Sequence, residues 1–394
     1  MTPLYLDTAR LGLMSPGARS VYRDFVEFVG EAGLSLYAED FLRDGAASLS
    51  PEHRQRFPQL ADWHGVDGLK RRLRQTVAAP SELPLLLASR TTVLMRLAAR
   101  LLFRFCENVL TADLAWPAYA EIVRREAMRT ESRLASVPLR PAVFREGVGA
   151  AEITERLTEA AVDHGCDGLF LPAVSHDGVR LPVREIVRRI ERRTELRFVV
   201  IDGAQAFGHV PLDLSGTWCD LLLGGCHKWL GAYHPLGLGF CGRPRAAGPL
   251  GDALRSLKGA DGDDPLLSFL EDQPEASGET VNVGTLFSCH GALNDSGRRF
   301  DDPSFNLNRT VLGECLAAAG WKARSVDESV RSGILLGAVP NRVADSAENI
   351  RRTLCRHGVA ATAYPHGAIR LSTPLAVLTD PDVDLLVAAL RALG

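Results

Sequence analysis

The sequence predicts a three-layer α/β fold around a mostly parallel sheet, followed by a smaller α+β region. Three observations carry that expectation. Short apolar runs alternate with helical-period segments through the middle of the chain, as strands covered by helices do. Three β-rich runs, at 198–201, 220–223 and 236–241, crowd into about 45 residues. Beyond about residue 295 the strand signals thin out between longer helical segments.

In chain order, residues 83–87 read as a strand, and Leu94, Leu97, Ala98, Leu101, Leu102 and Phe105 then recur at helical spacing. Val109 and Leu110 open a second strand–helix unit, and 169–171 is a short buried strand. Val183, Ile186, Val187 and Ile190 mark the core side of the next helix, with Arg184, Arg188, Arg189 and Arg192 opposite. The polar segments 41–58 and 259–279 read as long surface loops. Helices are expected over 311–319, 347–357 and 383–393, around short strands at 334–336 and 368–370. The domain organisation expected is a large domain over 1–294 and a small C-terminal α+β domain over 295–394.

Composition narrows the function classes. The 394 residues are 46% hydrophobic and 24% charged, enough for a sizeable core. With 45 basic against 48 acidic side chains and a net charge of −3, no cationic surplus exists for a phosphate backbone or an anionic membrane. Neither a signal-like start nor an apolar run of membrane-spanning length is present, so a cytoplasmic location is expected. The eight cysteines are scattered without a C-x-x-C pair, which argues against a disulfide frame or a zinc site; no metal is expected.

The chemistry concentrates in two stretches, Phe198 to His209 and Asp220 to Trp229. Ligands of a parallel sheet sit at the carboxyl ends of its strands, where both Asp202 and the turn from Gly224 to Lys228 fall. A lysine so placed is a Schiff-base candidate, and an aspartate 26 residues earlier is suited to hold a protonated ring nitrogen. That pair is what pyridoxal 5'-phosphate chemistry requires. Between strand and helix, Arg90, Thr91 and Thr92 lie at a helix N-terminus whose amides and dipole favour an anion such as a phosphate.

At these residues the chain resembles the pyridoxal-phosphate enzymes of fold type I, in their class V aminotransferase and cysteine desulfurase branch. The motif D-x-A-Q-x-x-G-H runs from Asp202 to His209, D-x-x-x-x-x-x-H-K from Asp220 to Lys228, and G-x-G-F from Gly237 to Phe240. The stretches from Tyr5 to Ala9 and from Ile369 to Ser372 look like the family's opening strand-turn and closing strand, so the resemblance extends over nearly the whole chain. It implies that Lys228 carries the cofactor, Asp202 pairs with its ring nitrogen, Gln205 bonds its ring oxygen and His227 reaches its phosphate. It places Trp116 where a ring stacks on the cofactor and Arg370 where a guanidinium grips a substrate α-carboxylate. Thr280, or Thr285 as the competing choice, would reach the phosphate of a neighbouring subunit, which implies a homodimer with shared active sites.

The departures from the family pattern are equally specific. Gly225 replaces a phosphate-binding serine, and Arg10 puts a long cation near the substrate entrance. The loop over 173–182 is short, leaving Ser175, His176 or Asp177 to stand in for an asparagine contact. The extension after Lys228 brings Tyr233 and His234 as candidate substrate-side acid/base groups. Between Gly333 and Arg370 only Cys355 occurs, inside a helical pattern and not on a Gly/Ser loop, so a persulfide-forming cysteine is missing and the chain is not a desulfurase proper. His209 reads as a structural histidine.

The resulting expectation is a pyridoxal-phosphate enzyme acting on an amino acid or amino-acid conjugate of a specialised, natural-product type. C–S lyase, β-elimination or aminotransfer chemistry is favoured, with a class V aminotransferase or epimerase as the alternative. A ligand sensor or scaffold of the same fold, without turnover, is the reading from another class.

Overall fold

A computed structural model describes residues 3–31, 39–257, 264–272, 280–295, 302–324, 326–338, 346–365 and 367–393. Seven strands form the central sheet: β2 (Leu85–Ala88), β3 (Asn108–Ala112), β4 (Arg133–Val137), β5 (Gly168–Pro172), β6 (Phe198–Asp202), β7 (Leu221–Gly225) and β8 (Gly237–Cys241). Their order is β2-β8-β7-β6-β5-β3-β4, and only β8 runs antiparallel to its neighbours. β5, β6, β7 and β8 are buried along their whole length, which is why they read as unbroken apolar runs.

The pleat divides those runs between two cores. Val199 and Ile201 of β6 face one hydrophobic cluster, and Phe198 and Val200 face the other. Leu169 and Leu171 against Phe170, and Leu222 against Leu221 and Leu223, repeat the division. Helices Ala150–Asp163 and Val183–Glu191 cover the first side with Ile153, Leu157, Ile186 and Ile190. Helices Thr91–Phe105 and Pro117–Arg129 cover the second with Leu94, Leu97, Leu101 and Val123. The fold is therefore the three-layer α/β/α arrangement of fold type I.

A second sheet, of order β12-β13-β10-β9, joins β9 (Lys322–Ala323), β10 (Ile334–Ala338), β12 (Thr362–Tyr364) and β13 (Ala368–Ser372) in antiparallel register. Helices Pro303–Ala318, Ala347–Arg356 and Asp380–Arg391 pack on it through Leu312, Leu316, Ile350, Leu354, Leu386 and Leu390. The first strand, β1 (Leu4–Tyr5), pairs in parallel with β11 (Val359–Ala360), so Leu4 and Leu6 belong to this C-terminal core.

The expected loop over 41–58 is corrected. Its residues form helix Glu39–Asp44, a 3-10 turn Gly45–Ser48 and helix Pro51–Arg56, because Phe41, Leu42, Leu49 and Phe57 are buried at irregular spacing among polar neighbours. Within the expected loop over 259–279, Pro265–Asp272 is helical and buries Leu266, Leu267 and Phe269; positions 259–263 and 273–279 lie outside the described residues. Among the described residues, no helix is long and apolar enough to cross a membrane.

Candidate active site

Three neighbouring strands end at one cavity. Asp202 closes β6, Lys228 follows β7 on one side of it, and His176 follows β5 on the other. The cavity, of about 180 Å³, is lined by Asp202, Gln205, Lys228 and Arg370 together with Arg10, Trp116, Tyr119 and His176. Arg10 and Trp116 are exposed at its rim, Trp116 by 41%.

Burial sets the protonation chemistry. The Lys228 amine is pushed down to about 8 by desolvation, which Asp202 partly offsets. Desolvation pushes the Asp202 carboxyl up to about 6, against the backbone N–H of Ala204, which donates to Oδ1 at 2.9 Å, and the charge of Lys228. Both groups are thereby drawn toward their neutral forms near neutral pH. His227 falls to about 4 through burial and then the adjacent Lys228, so its imidazole is neutral.

Gln205 is anchored at both ends of its amide. Its Nε2 donates to the Ala9 carbonyl at 2.7 Å, and its Oε1 accepts from Trp229 Nε1 at 2.8 Å. The second N–H on Nε2 and one lone pair on Oε1 are what it has left for a ligand. Trp229 stacks on His209 with centroids 3.7 Å apart, and His209 Nε2 accepts from the Gly333 amide at 2.9 Å. His209 is thus the structural histidine expected, tying the Asp202 turn to the C-terminal layer.

The helix starting at Thr91 has no side-chain cap. Thr91 is buried and donates its hydroxyl to the Gly224 carbonyl at 2.7 Å, beside Gly225 and the His227 ring. A Cβ at Gly225 would stand 2.8 Å from Thr91 Oγ1 and 3.2 Å from the ring, so the Thr91 hydroxyl takes the space a serine at 225 would need. The Arg90 side chain is exposed, and Thr92 approaches Tyr119.

Arg370, 4% exposed, is held by Asp7, Thr362 and the His176 carbonyl, and its guanidinium lies 5.9 Å from the Tyr364 ring centre. Its Nε and the Nδ1 of His176 are buried without a hydrogen-bond partner among the described residues. Of the three residues offered by the shortened loop, His176 alone lines the cavity. Ser175 and Asp177 bond each other, and Asp177 also pairs with Arg140, so both are spent on holding the loop.

Tyr233 and His234, expected on the substrate side, do not line this cavity. Tyr233 is 44% exposed in a left-handed backbone conformation, and His234 packs on Tyr22 with ring centres 4.5 Å apart. Thr280 is exposed and also lies apart from the lining residues. Tyr119, Asp7 and Thr362 went unnoticed in the sequence. Tyr119 had one signal, its place one helical turn after Trp116 at the start of a helix. A larger open hollow of about 650 Å³ is lined by Arg184, Arg188 and Arg189, but contains neither Lys228 nor Asp202, and Arg184 and Arg189 pair with Asp213 and Glu155.

Comparisons with known proteins find likeness in part of the sequence and in the fold. Residues 71–250 match the family model described as Aminotransferase class-V. Isopenicillin N epimerase of Amycolatopsis lactamdurans is 39% identical over 89 residues, 23% of this chain and 21% of that protein. The enzyme of the same name from Streptomyces clavuligerus is 34% identical over 123 residues, 31% of this chain and 28% of that one. The chain thus matches less than a third of the length of either curated relative. The crystal structure of the cysteine desulfurase CsdA from Escherichia coli superposes with a TM-score of 0.69 at 16% identity, covering 99% of this chain and 94% of that one. Residues 71–250, which hold the whole central sheet from β2 to β8, are thus the part of the chain that is similar to the aminotransferase class-V family.

Proposed function

We propose that this protein is a pyridoxal-phosphate-dependent enzyme that acts on an α-amino acid or amino-acid conjugate, breaking a bond at Cα or Cβ in lyase or aminotransfer chemistry on a specialised substrate. One observation carries the reading: a lysine amine drawn down to about 8, a buried carboxyl and a buried guanidinium line the same cavity.

The residues present fit the cofactor. The Nδ1 of His227, without a partner among the described residues, and the helix start at Thr91, without a side-chain cap there, meet beside Gly225, where a Cβ would intrude, and together suit a phosphate. Among the described residues, no cation lies at hydrogen-bond distance from the buried Asp202 carboxyl, a place that a protonated ring nitrogen would fill. When bound, pyridoxal phosphate supplies the ring that withdraws the electron pair left at Cα as a bond to it breaks. Asp202 holds the proton on the ring nitrogen. Arg370 grips the α-carboxylate with a fork already aligned by Asp7 and Thr362. Lys228 Nζ, a free amine in an appreciable fraction near neutral pH, serves first as nucleophile and then as the base that moves the Cα proton. Trp116 and Tyr119 screen the cavity from water, and Arg10 meets substrate at the rim.

A homodimer with shared sites belongs to the same proposal. Thr280, exposed, is the residue we assign to a partner's phosphate, because the Thr285 hydroxyl is spent on the Asn282 carbonyl at 3.3 Å. Cα epimerisation is a second reading, favoured by the two curated relatives named isopenicillin N epimerase.

The test is to incubate cofactor-loaded protein with a panel of amino acids and cysteine S-conjugates and analyse pyruvate, ammonia, thiol, new amino acid and enantiomer. Products that appear with the wild type and vanish in Lys228→Ala support an enzyme; none from any substrate, with cofactor bound, favours a sensor or scaffold.

A further inference from the structure

We propose that His176 is a catalytic residue, a second proton-handling group that works with Lys228 to invert the configuration at a substrate Cα. The inference rests on the epimerase reading above and gives it a residue.

The sheet order supplies the geometry. β6 lies between β7 and β5, and Asp202 ends β6. Lys228 comes from the turn after β7 and His176 from the turn after β5, so the two flank the central carboxyl from opposite sides while lining one cavity. Inversion by two groups requires that one takes a proton from one side of a carbon and the other returns a proton to the opposite side, and here two proton-handling side chains reach one cavity from different turns. A single base exchanges the proton with retention.

The state of His176 suits the task. Its Nδ1 is buried and has no partner among the described residues, a costly condition for a polar atom unless a ligand completes it. The ring is fixed edge-on to Trp116, with centroids 5.1 Å apart, and to Tyr364 at 6.3 Å. Its carbonyl accepts from Arg370 Nη1 at 3.4 Å, so the loop that carries the imidazole is tied to the residue proposed to hold the α-carboxylate. The charged groups around it are Asp177, Arg140, Arg370 and Lys228, and burial is the largest influence on it, favouring the neutral imidazole that can act as a base.

The step balances without an oxidant or co-reactant. In one direction neutral His176 takes the Cα proton and becomes imidazolium, the C–H electron pair stays with the substrate, and the Lys228 ammonium gives a proton to the opposite side. In the reverse direction the two exchange roles, and solvent resets their protons.

The experiment uses cofactor-loaded wild type, His176→Gln and His176→Phe in D₂O, with single enantiomers from a panel of α-amino acids that includes long polar side chains. Three quantities are read: cofactor retained after dialysis, deuterium at Cα by mass spectrometry, and enantiomer composition by chiral chromatography. The wild type is expected to invert substrate with deuterium uptake. Both variants are expected to retain cofactor at the wild-type ratio while the ratio of inversion to exchange falls on the order of 100-fold. Variants that invert as the wild type does, or a wild type that exchanges with retention or not at all while holding cofactor, overturn the role of His176. A wild type that retains no cofactor overturns the reading on which it rests.

Discussion

Oδ1 of Asp7 lies 3.5 Å from Nη2 of Arg370, although 363 residues separate them, and the Thr362 hydroxyl bridges the pair by donating to the same Asp7 oxygen at 2.5 Å and accepting from Arg370 at 3.1 Å. Both side chains are nearly buried, so removing the anion strands a cation in the interior. Asp7→Ala is expected to destabilise the fold by roughly 3 kcal/mol and to raise KM for carboxylate substrates. Urea unfolding and steady-state kinetics check this; an unchanged midpoint would mean that Arg370 needs no counter-charge.

The Asp202 carboxyl illustrates a site maintained at the expense of stability. Its folded pKa of about 6 lies above the ordinary 3.8, so its contribution is intact below about pH 4 and is lost as pH rises through about 6. Asp202→Asn removes that loss. The cofactor-free variant is expected to be more stable than wild type at pH 7, on the order of 3 kcal/mol, with the gap closing near pH 4. Equal stability at pH 7 would contradict the desolvation argument.

Gly225→Ser tests the phosphate corner. The new Cβ, 2.8 Å from Thr91 Oγ1, pushes the hydroxyl off the Gly224 carbonyl and costs about 1 kcal/mol for the lost hydrogen bond. In Thr91→Ala the same bond is already gone, so the double variant is expected to cost less than the sum of the singles. Strict additivity in a double-mutant cycle would show that the two positions do not compete for space.

Trp229→Phe keeps a ring to stack on His209 but deletes the indole N–H that satisfies Gln205 Oε1. A buried acceptor is left unpaired, at about 1–3 kcal/mol. Thermal unfolding measures the loss, and faster cofactor release on dialysis is the expected companion, because Gln205 lines the cavity that Trp229 steadies.

How much of this was legible in the sequence depends on how local each signal is. Asp202 and Lys228 stood out because each follows an apolar strand directly, and β6 and β7 adjoin in the sheet. Gln205 and His227 are tied to them by short spacing. Asp7 gave no signal because it meets Arg370 only across 363 residues, through a pairing of distant segments, and Thr362 gave none because its place opposite Arg370 depends on the register of the short β12–β13 pair. Tyr233 and His234 misled for the opposite reason: they are next to the lysine turn in sequence but do not line the cavity. The helices at 39–56 were hidden because their buried residues, Phe41, Leu42 and Leu49, fit no single period.

Attachment of pyridoxal phosphate at Lys228, as proposed, is directly testable because the sequence contains four lysines, Lys70, Lys228, Lys258 and Lys322. Protein incubated with pyridoxal phosphate, reduced with borohydride and digested should give one modified peptide, the one containing Lys228, with labelling faster as pH rises through about 8, where the buried amine loses its proton. Label spread over Lys70, Lys258 and Lys322 with none at Lys228 would contradict the account.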